Sequence, residues 1–91
     1  MGYRVLVSKT FQKDFQRLPA ENQKQIRSAL LELQNDPHTC RPHCDINILK
    51  DTKPRKYRLR VGEYRIIYSI EKNDVKVIYL IKREVGYNRL E

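Results

Sequence analysis

The feature that most restricts how this chain can fold is the alternation of side chains between Lys56 and Lys82. Successive side chains of a strand point to opposite faces of a sheet, so a period of two predicts strands rather than helices. Gly62-Glu63 suits a two-residue hairpin turn, and Lys72-Asn73-Asp74 suits a second turn. The sequence therefore predicts three consecutive antiparallel strands, over residues 56–61, 64–71 and 75–82.

The first part of the chain predicts one further strand and two helices. Residues 3–8 alternate and are rich in strand-forming side chains, and Ser8 or Thr10 is suited to cap the helix that follows. An apolar stripe at helical spacing supports that first helix: Phe11, Phe15 and Leu18. Pro19 interrupts the stripe, and a second amphipathic helix is predicted over residues 20–35, ending at Asp36-Pro37.

The remaining middle segment, residues 37–55, holds three of the four prolines, both cysteines and both histidines, and is predicted to be a loop. The element order is then β-α-α-β-β-β, followed by a tail over residues 83–91. This order predicts an α+β fold in one domain spanning residues 1–91. In that fold a helical hairpin packs on one face of a mainly antiparallel four-stranded sheet.

The alternation also assigns side chains to the two faces of the sheet. One face is apolar or aromatic throughout and is predicted to meet the helices: Tyr57, Leu59, Val61, Tyr64, Ile66, Tyr68, Ile70, Val75, Val77, Tyr79 and Ile81. The opposite face holds five cations and four uncharged residues: Lys56, Arg58, Arg60, Arg65, Ile67, Ser69, Ile78, Leu80 and Lys82.

Hairpin register aligns three of these cations across the strands. Arg60 falls opposite Arg65, and closure of the second hairpin at Asn73-Asp74 sets Arg65 opposite Lys82. Like charges directly opposite each other destabilise a sheet, and Glu71 is the one acid expected on this face. The row therefore favours a bound anion such as a phosphodiester, whose oxygens match the guanidinium fork. The alternative is that these cations only solubilise an open sheet face.

The overall charge agrees with a polyanionic partner. Nineteen Lys and Arg against eleven Asp and Glu give a net charge of +8, which favours nucleic acid through counterion release, although many small basic domains bind none. No apolar stretch approaches the roughly 20 residues of a membrane span. The first ten residues lack the pattern of a secretory signal. We therefore expect a cytoplasmic protein without a membrane partner.

Two segments resemble a known family. The run from Tyr57 to Tyr68, YRLRVGEYRIIY, resembles the central hairpin of the RelE/ParE toxin superfamily, and the element order is similar over nearly the whole chain. The ending from Lys82 to Arg89, KREVGYNR, resembles the basic tail of the ribosome-dependent RelE branch. The resemblance implies the toxin of a type II toxin–antitoxin system, an endoribonuclease that cleaves mRNA at the ribosomal A site and uses no cofactor. Its implied partners are a cognate antitoxin, the ribosome and mRNA.

The resemblance also implies roles for individual residues. Five match the catalytic positions of the family: Arg58, Arg60, Arg65, Arg83 and Tyr87. Three further cations are expected to contact RNA: Lys56, Lys82 and Arg89. The match departs from the family pattern in two places. Some relatives carry lysine where this chain has Arg58 and Arg60, and Gly86 shifts the tail just before Tyr87.

The chemistry of RNA cleavage leaves the proton-transfer group open. The reaction needs removal of the 2′-hydroxyl proton, stabilisation of charge on the phosphate, and a proton for the leaving 5′-oxygen. Arginine meets the second need but is no general base, because its pKa is above about 12. The remaining candidates are Lys56, Lys82 and Tyr87. Two other functions stay open: a ParE-like toxin that poisons DNA gyrase without nuclease activity, and an RNA-binding module without catalysis.

The predicted loop holds a second group of reactive side chains: His38, Cys40, His43 and Cys44. Four such ligands within seven residues suggest zinc, but structural zinc sites usually draw ligand pairs from two separated elements. We therefore expect no metal site here. A disulfide between the two cysteines is equally unexpected in a cytosolic protein.

Overall fold

The structure, a computed structural model, describes residues 2–42, 44–49 and 55–82. Within these ranges two helices pack against a single sheet of five strands in the order β1-β5-β4-β3-β2, where β1 and β5 are parallel and the other pairs are antiparallel. The elements are β1 (Arg4–Val7), α1 (Lys9–Gln16), α2 (Ala20–Asn35), β2 (Asp45–Leu49), β3 (Lys56–Val61), β4 (Tyr64–Glu71) and β5 (Asp74–Lys82). The predicted α+β class is confirmed.

The sheet has one strand more than the sequence predicted. Asp45–Leu49 was assigned to a loop, but it forms the edge strand β2 beside β3. Its residues alternate, so that Ile46 is buried opposite Leu59 while Asn47 is exposed on the other face. The prediction of a continuous loop was wrong because the prolines and cysteines on its N-terminal side hid this short alternating segment.

The two helices begin and end as their sequences indicate. Ser8 caps α1, and its Oγ accepts a hydrogen bond from the amide of Phe11 at 3.0 Å. Gln23 in α2 reaches back to α1, and its Nε2 donates to the carbonyls of Phe15 at 3.0 Å and Leu18 at 3.2 Å. These bonds tie the start of α2 to the end of α1 and to the residue before Pro19, and so fix the bend between the helices. Neither helix in the described ranges is long and apolar enough to span a membrane.

Tyr68 lies at the centre of the core between sheet and helices. Its ring is fully buried and stacks on Tyr57 with centroids 5.3 Å apart. Its hydroxyl donates to the carbonyl of Pro37 at 2.7 Å, which ties the end of α2 to the middle of β4. Burial raises the pKa of Tyr68 far above its ordinary value, because the phenolate would lose its hydration.

A β-bulge interrupts the pairing of β4 with β5. Ile67 pairs with Tyr79, but the next residue, Tyr68, pairs with Val77, so Ile78 is an extra residue in β5. Beyond the bulge, the alternation of β5 is shifted by one position relative to its first half. A shift of one residue moves every later side chain to the opposite face.

The bulge overturns part of the predicted face assignment. Leu80 was assigned to the cationic face, but it lies in the core with 7 % of its surface exposed. Tyr79 and Ile81 were assigned to the helix-facing side, but they pair with Ile67 and Arg65 and so point away from the helices. These assignments were wrong because an unbroken alternation was assumed through β5.

Ser8, which lies between β1 and α1, holds the bulge in place. Its hydroxyl donates to the carbonyl of Ile78 at 2.6 Å, and its amide donates to the carbonyl of Val77 at 2.9 Å. A bulged residue is left out of the regular ladder, so its polar groups need another partner. The residue that caps α1 therefore also stabilises the irregular point of β5.

Candidate nucleic-acid interface

Four cations of β3 and β4 lie on the sheet face that points away from the helices. We call this surface the cationic face, and it consists of Lys56, Arg58, Arg60 and Arg65. The intervening residues of β3, Tyr57 and Leu59, are buried on the helix side, which fixes the direction of these side chains. Arg60 lies directly opposite Arg65, as the hairpin register predicted.

The members of the cationic face differ in burial. Arg65 lies in β4, between Arg60 and Ile81, and only 6 % of its surface is exposed. Arg58 is half-buried and Arg60 is exposed. Within the described part of the chain, neither Arg58 nor Arg60 forms an ion pair. The positive charge of these two arginines is therefore available to a ligand from solution.

Lys82 does not join this row. It was predicted to lie opposite Arg65, but it pairs with Tyr64, and Ile81 takes the position opposite Arg65. The prediction was wrong because the extra residue Ile78 displaces the register of β5. The assignment of Lys82 as an RNA contact stays a prediction. Lys56 does lie on the cationic face, opposite Ser69.

Asp45 is a site residue that the sequence reasoning missed. It extends the row of Arg60 and Arg65 on the β2 side, where it lies opposite Arg60. Its Oδ1 accepts hydrogen bonds from Asn47 Nδ2 at 3.3 Å and from Cys40 Sγ at 3.7 Å. No contact within 4.0 Å joins it to Arg60 as an ion pair. The expectation that Glu71 is the one acid on this face was therefore wrong, and the alternation of the segment DINIL was the signal for this strand.

Tyr79 is the second residue that the sequence reasoning misplaced. It shares a cross-strand row with Arg58 and Ile67, and 45 % of its surface is exposed. Every side chain from Val77 to Ile81 is apolar or aromatic, so the sequence carries no alternation that could fix which of them face the helices. Only the bulge decides this.

A cavity of about 730 Å³ adjoins the cationic face at one end. It lies between α2 and the β2–β3 edge of the sheet, and Gln25, Glu32, Asp45, Arg60 and Gly62 are among its lining residues. Arg60 and Asp45 therefore border both the open face and this concave region.

Several predicted site residues lie outside the described ranges. These are Arg83, Tyr87 and Arg89, together with His43 of the suggested zinc group. The three other members of that group differ in environment. Cys40 is exposed, Cys44 is buried with a raised pKa caused mainly by desolvation, and His38 packs edge-on against the rings of Tyr3 and Tyr57. In the described ranges, no three side chains of the types that bind metals are grouped closely enough to hold an ion.

Comparison with known families gives one match over most of the chain. Residues 5–85 match the family described as the ParE toxin of the type II toxin–antitoxin system parDE. A search of curated proteins gave no significant match. The family match covers the sheet, both helices and the whole cationic face.

Solved structures give similar folds. A chain of the archaeal RelE–RelB complex from Pyrococcus horikoshii OT3 is 30 % identical, with a TM-score of 0.80 over 94 % of this chain and 100 % of that one. A chain of the RelB–RelE antitoxin–toxin complex from Methanococcus jannaschii is 28 % identical, with a TM-score of 0.76 over 94 % and 99 %. A mutant of the Escherichia coli toxin RelE in the free state is 20 % identical, with a TM-score of 0.65 over 100 % and 94 %, and supports the fold alone.

Proposed function

This chain belongs to the ParE toxin family of type II toxin–antitoxin systems, within the RelE/ParE superfamily, and from that premise we propose that it is an endoribonuclease of the RelE kind. It cleaves mRNA at the ribosomal A site and so inhibits translation. The observation that carries the proposal is the row of arginines on one sheet face, two of which form no ion pair in the described ranges. The 30 % identity with the P. horikoshii chain supports the RelE branch.

The cationic face supplies charge stabilisation in this proposal. Directly opposite residues on neighbouring strands have Cβ atoms about 4.5–5.5 Å apart, so Arg60 and Arg65 can approach one phosphate together. Guanidinium groups donate paired hydrogen bonds to phosphate oxygens. Cations already held in position when charge develops on the phosphate lower the barrier, because little reorganisation is needed during the reaction. The burial of Arg65 restricts its side chain and favours this role.

Asp45 is the proposed general base. Its carboxylate lies at the end of the same row, opposite Arg60, on the face where the phosphate would bind. In the proposed step Asp45 takes the proton of the 2′-hydroxyl, the 2′-oxygen bonds to the adjacent phosphorus, and the bond from phosphorus to the 5′-oxygen breaks. The products are a 2′,3′-cyclic phosphate and a 5′-hydroxyl, which takes up a proton. Tyr87 remains the candidate for that proton, on the resemblance of the tail.

The proposed partners are the ribosome, mRNA and a cognate antitoxin. The chains from P. horikoshii and M. jannaschii come from complexes of RelE with RelB. An antitoxin with an acidic segment would complement the net charge of +8 and could cover the cationic face. A protein that acts on translating ribosomes belongs in the cytoplasm, which is part of the same proposal.

A second candidate function has the same fold but no nuclease activity. The matching family is described by the ParE toxin, which favours a gyrase poison that acts by binding without cleaving RNA. In that case the arginines of the cationic face would contact gyrase or its DNA rather than a scissile phosphate.

One pair of assays separates the two functions. Purified protein is added to a reconstituted translation system with a defined mRNA, and breaks are mapped by primer extension; DNA supercoiling by gyrase is measured in parallel. We expect new breaks within codons at the A site, no breaks in an mRNA that lacks a ribosome-binding site, and unaffected gyrase. Intact mRNA at a large excess of protein, with inhibited gyrase, would overturn the proposed function in favour of the second one.

A further inference from the structure

Tyr79 is an exposed aromatic side chain on the same side of the sheet as the arginines. Almost half of its surface is open to solvent, and it lies in β5 just beyond the residues that pair with β1, Asp74–Val77. Tyrosine rings more often bury most of their area, and here the core position is taken by the next residue, Leu80. The bulge at Ile78 is what exchanges these two side chains between the faces.

The strand around Tyr79 is held in place. Leu80 anchors the strand from the core side, and Ser8 binds the carbonyl of Ile78 just before the tyrosine. Its cross-strand neighbour Ile67 is only 1 % exposed, so the sheet surface next to Tyr79 is closely packed. Bulges commonly redirect a side chain next to a functional site. The backbone of Tyr79 is therefore fixed while 45 % of the residue's surface remains accessible.

Two cations lie near Tyr79, one position beyond its direct neighbours. Arg58 lies in the same cross-strand row, on the far side of Ile67, and Arg65 is the diagonal neighbour on β4. Diagonal neighbours on adjacent strands are about 7–8 Å apart, a separation that one nucleotide can bridge between its base and a flanking phosphate. An aromatic surface beside a cationic track is the arrangement with which proteins bind single-stranded nucleic acid.

We propose that Tyr79 is a stacking platform for an unpaired RNA base, while the arginines of the cationic face hold the adjacent phosphates. This inference rests on the proposed function and names a contact through which the RNA would be positioned. Stacking uses the flat face of any base, so the platform binds many sequences and contributes affinity rather than codon choice. Tyr79 is a binding residue in this account and takes no part in proton transfer.

A binding assay with two probes tests the platform directly. The first probe is a fluorescein-labelled hexamer of 2′-O-methyl-adenosine, which cannot be cleaved because its 2′-oxygen carries no proton. The second is the same backbone without bases. Fluorescence anisotropy gives the Kd of each probe for the wild type, Tyr79→Phe, Tyr79→Leu and Arg58→Gln. Ile48→Ser is the matched control, because it removes an exposed apolar side chain from the other face of the sheet.

Stacking predicts a loss that depends on the bases. Tyr79→Leu should raise the Kd of the adenosine hexamer roughly 5- to 150-fold, while Tyr79→Phe, which keeps the ring, should stay within about twofold. On the probe without bases, the wild type and Tyr79→Leu should bind alike. A structural role for Tyr79 would instead weaken both probes equally, and that result would overturn the platform.

The arginine variant separates failure of this inference from failure of the proposed function. If Arg58→Gln weakens the hexamer while Tyr79→Leu binds it as the wild type does, the RNA-binding face stands and the platform is overturned. If the wild type binds neither probe, the platform is overturned, while the proposed function is still decided by cleavage of translating mRNA. Unchanged RNA affinity of Tyr79→Leu, with weakened binding of the antitoxin, would assign the ring to the partner protein and would likewise overturn the platform.

Discussion

At the scale of single residues, Ser8 joins two features that are distant in the sequence. Its hydroxyl accepts from the amide of Phe11 at the start of α1 and donates to the carbonyl of Ile78 at the bulge of β5. The same oxygen therefore determines where a helix begins and supports the strand irregularity that turns Tyr79 outward. The sequence indicates the first task through the preference of serine for helix caps, but it carries no sign of the second.

Removal of this hydroxyl should destabilise the protein. Ser8→Ala loses the cap and leaves the Ile78 carbonyl without its side-chain partner, so we expect the free energy of unfolding to fall by about 1–3 kcal/mol. Urea denaturation followed by circular dichroism measures the change. Ser28→Ala, at an exposed position of α2, serves as the control and should stay within about 0.5 kcal/mol of the wild type. A Ser8→Ala protein as stable as the wild type would contradict the double role.

A second prediction for a single residue tests Asp45 as the proposed general base. Asp45→Asn keeps the shape of the side chain and removes the proposed general base, so cleavage of translating mRNA should slow by a factor of about 10² to 10⁴. The rate comes from primer-extension time courses, and Asp74→Asn, a carboxylate paired with Arg4 away from the site, is the matched control. Cleavage at the wild-type rate would exclude Asp45 and return the role to Lys56, Lys82 or Tyr87.

At the scale of elements, the helices and the central hairpin followed from the sequence, whereas β2 and the second half of β5 did not. Ala20–Asn35 has the predicted bounds, and the pairing of Arg60 with Arg65 follows from the two-residue turn between them. β2 was missed because its five residues follow closely on a proline and two cysteines, which favour a loop when read alone. The end of β5 was misassigned because an unbroken apolar run has no alternation, and the bulge depends on a tertiary contact with Ser8.

The same distinction between local pattern and tertiary packing decides which residues of the candidate site could be predicted. Arg58 and Arg60 could be predicted because they alternate with buried residues, and Arg65 could be predicted because the two-residue turn sets it opposite Arg60. Asp45 and Tyr79 could not, because their positions depend on a strand pairing and on a register shift that arise from packing of the whole sheet. The row is therefore Asp45, Arg60, Arg65 and Ile81, rather than three cations ending in Lys82.

The connection of α2 to the sheet depends on one buried hydrogen bond. Tyr68→Phe removes the bond to the Pro37 carbonyl and leaves that buried oxygen without this donor, so the free energy of unfolding should fall by about 1–3 kcal/mol. Urea denaturation measures the loss, and Tyr64→Phe is the control because Tyr64 is only partly buried. Equal stability of Tyr68→Phe and the wild type would contradict the role of this bond.

The raised pKa of Tyr68 adds a dependence on pH. The folded state keeps the phenol neutral, while the unfolded chain ionises near the ordinary tyrosine pKa of about 10. The stabilisation from this group is therefore fully present below about pH 10 and is lost as the pH rises above it. Between pH 9 and pH 11, about one unit on either side of that pKa, the free energy of unfolding should fall more for the wild type than for Tyr68→Phe. Parallel decline of the two proteins would contradict the prediction.

At the scale of the whole molecule, the net charge of +8 attracts RNA, but only the ordered cations should form specific contacts. Each phosphate contact on a single strand contributes about 0.7 to the slope of log Kd against log salt concentration. Arg58→Gln should reduce that slope by about 0.7 for the uncleavable hexamer. Arg17→Gln, an equal change of charge at an exposed position after α1, should leave it unchanged. Equal changes in the two variants would mean that binding depends on diffuse charge rather than on the cationic face.

The central claim is that the cationic face cleaves RNA, and the most direct measurement is primer extension on translating mRNA with the double variant Arg58→Gln/Arg60→Gln. Neither side chain is an ion-pair partner within the described ranges, so the variant should fold as the wild type does, which a thermal melt verifies. Breaks at the A site should disappear in the double variant and persist in Arg17→Gln. A folded double variant that cleaves as fast as the wild type would contradict the claim.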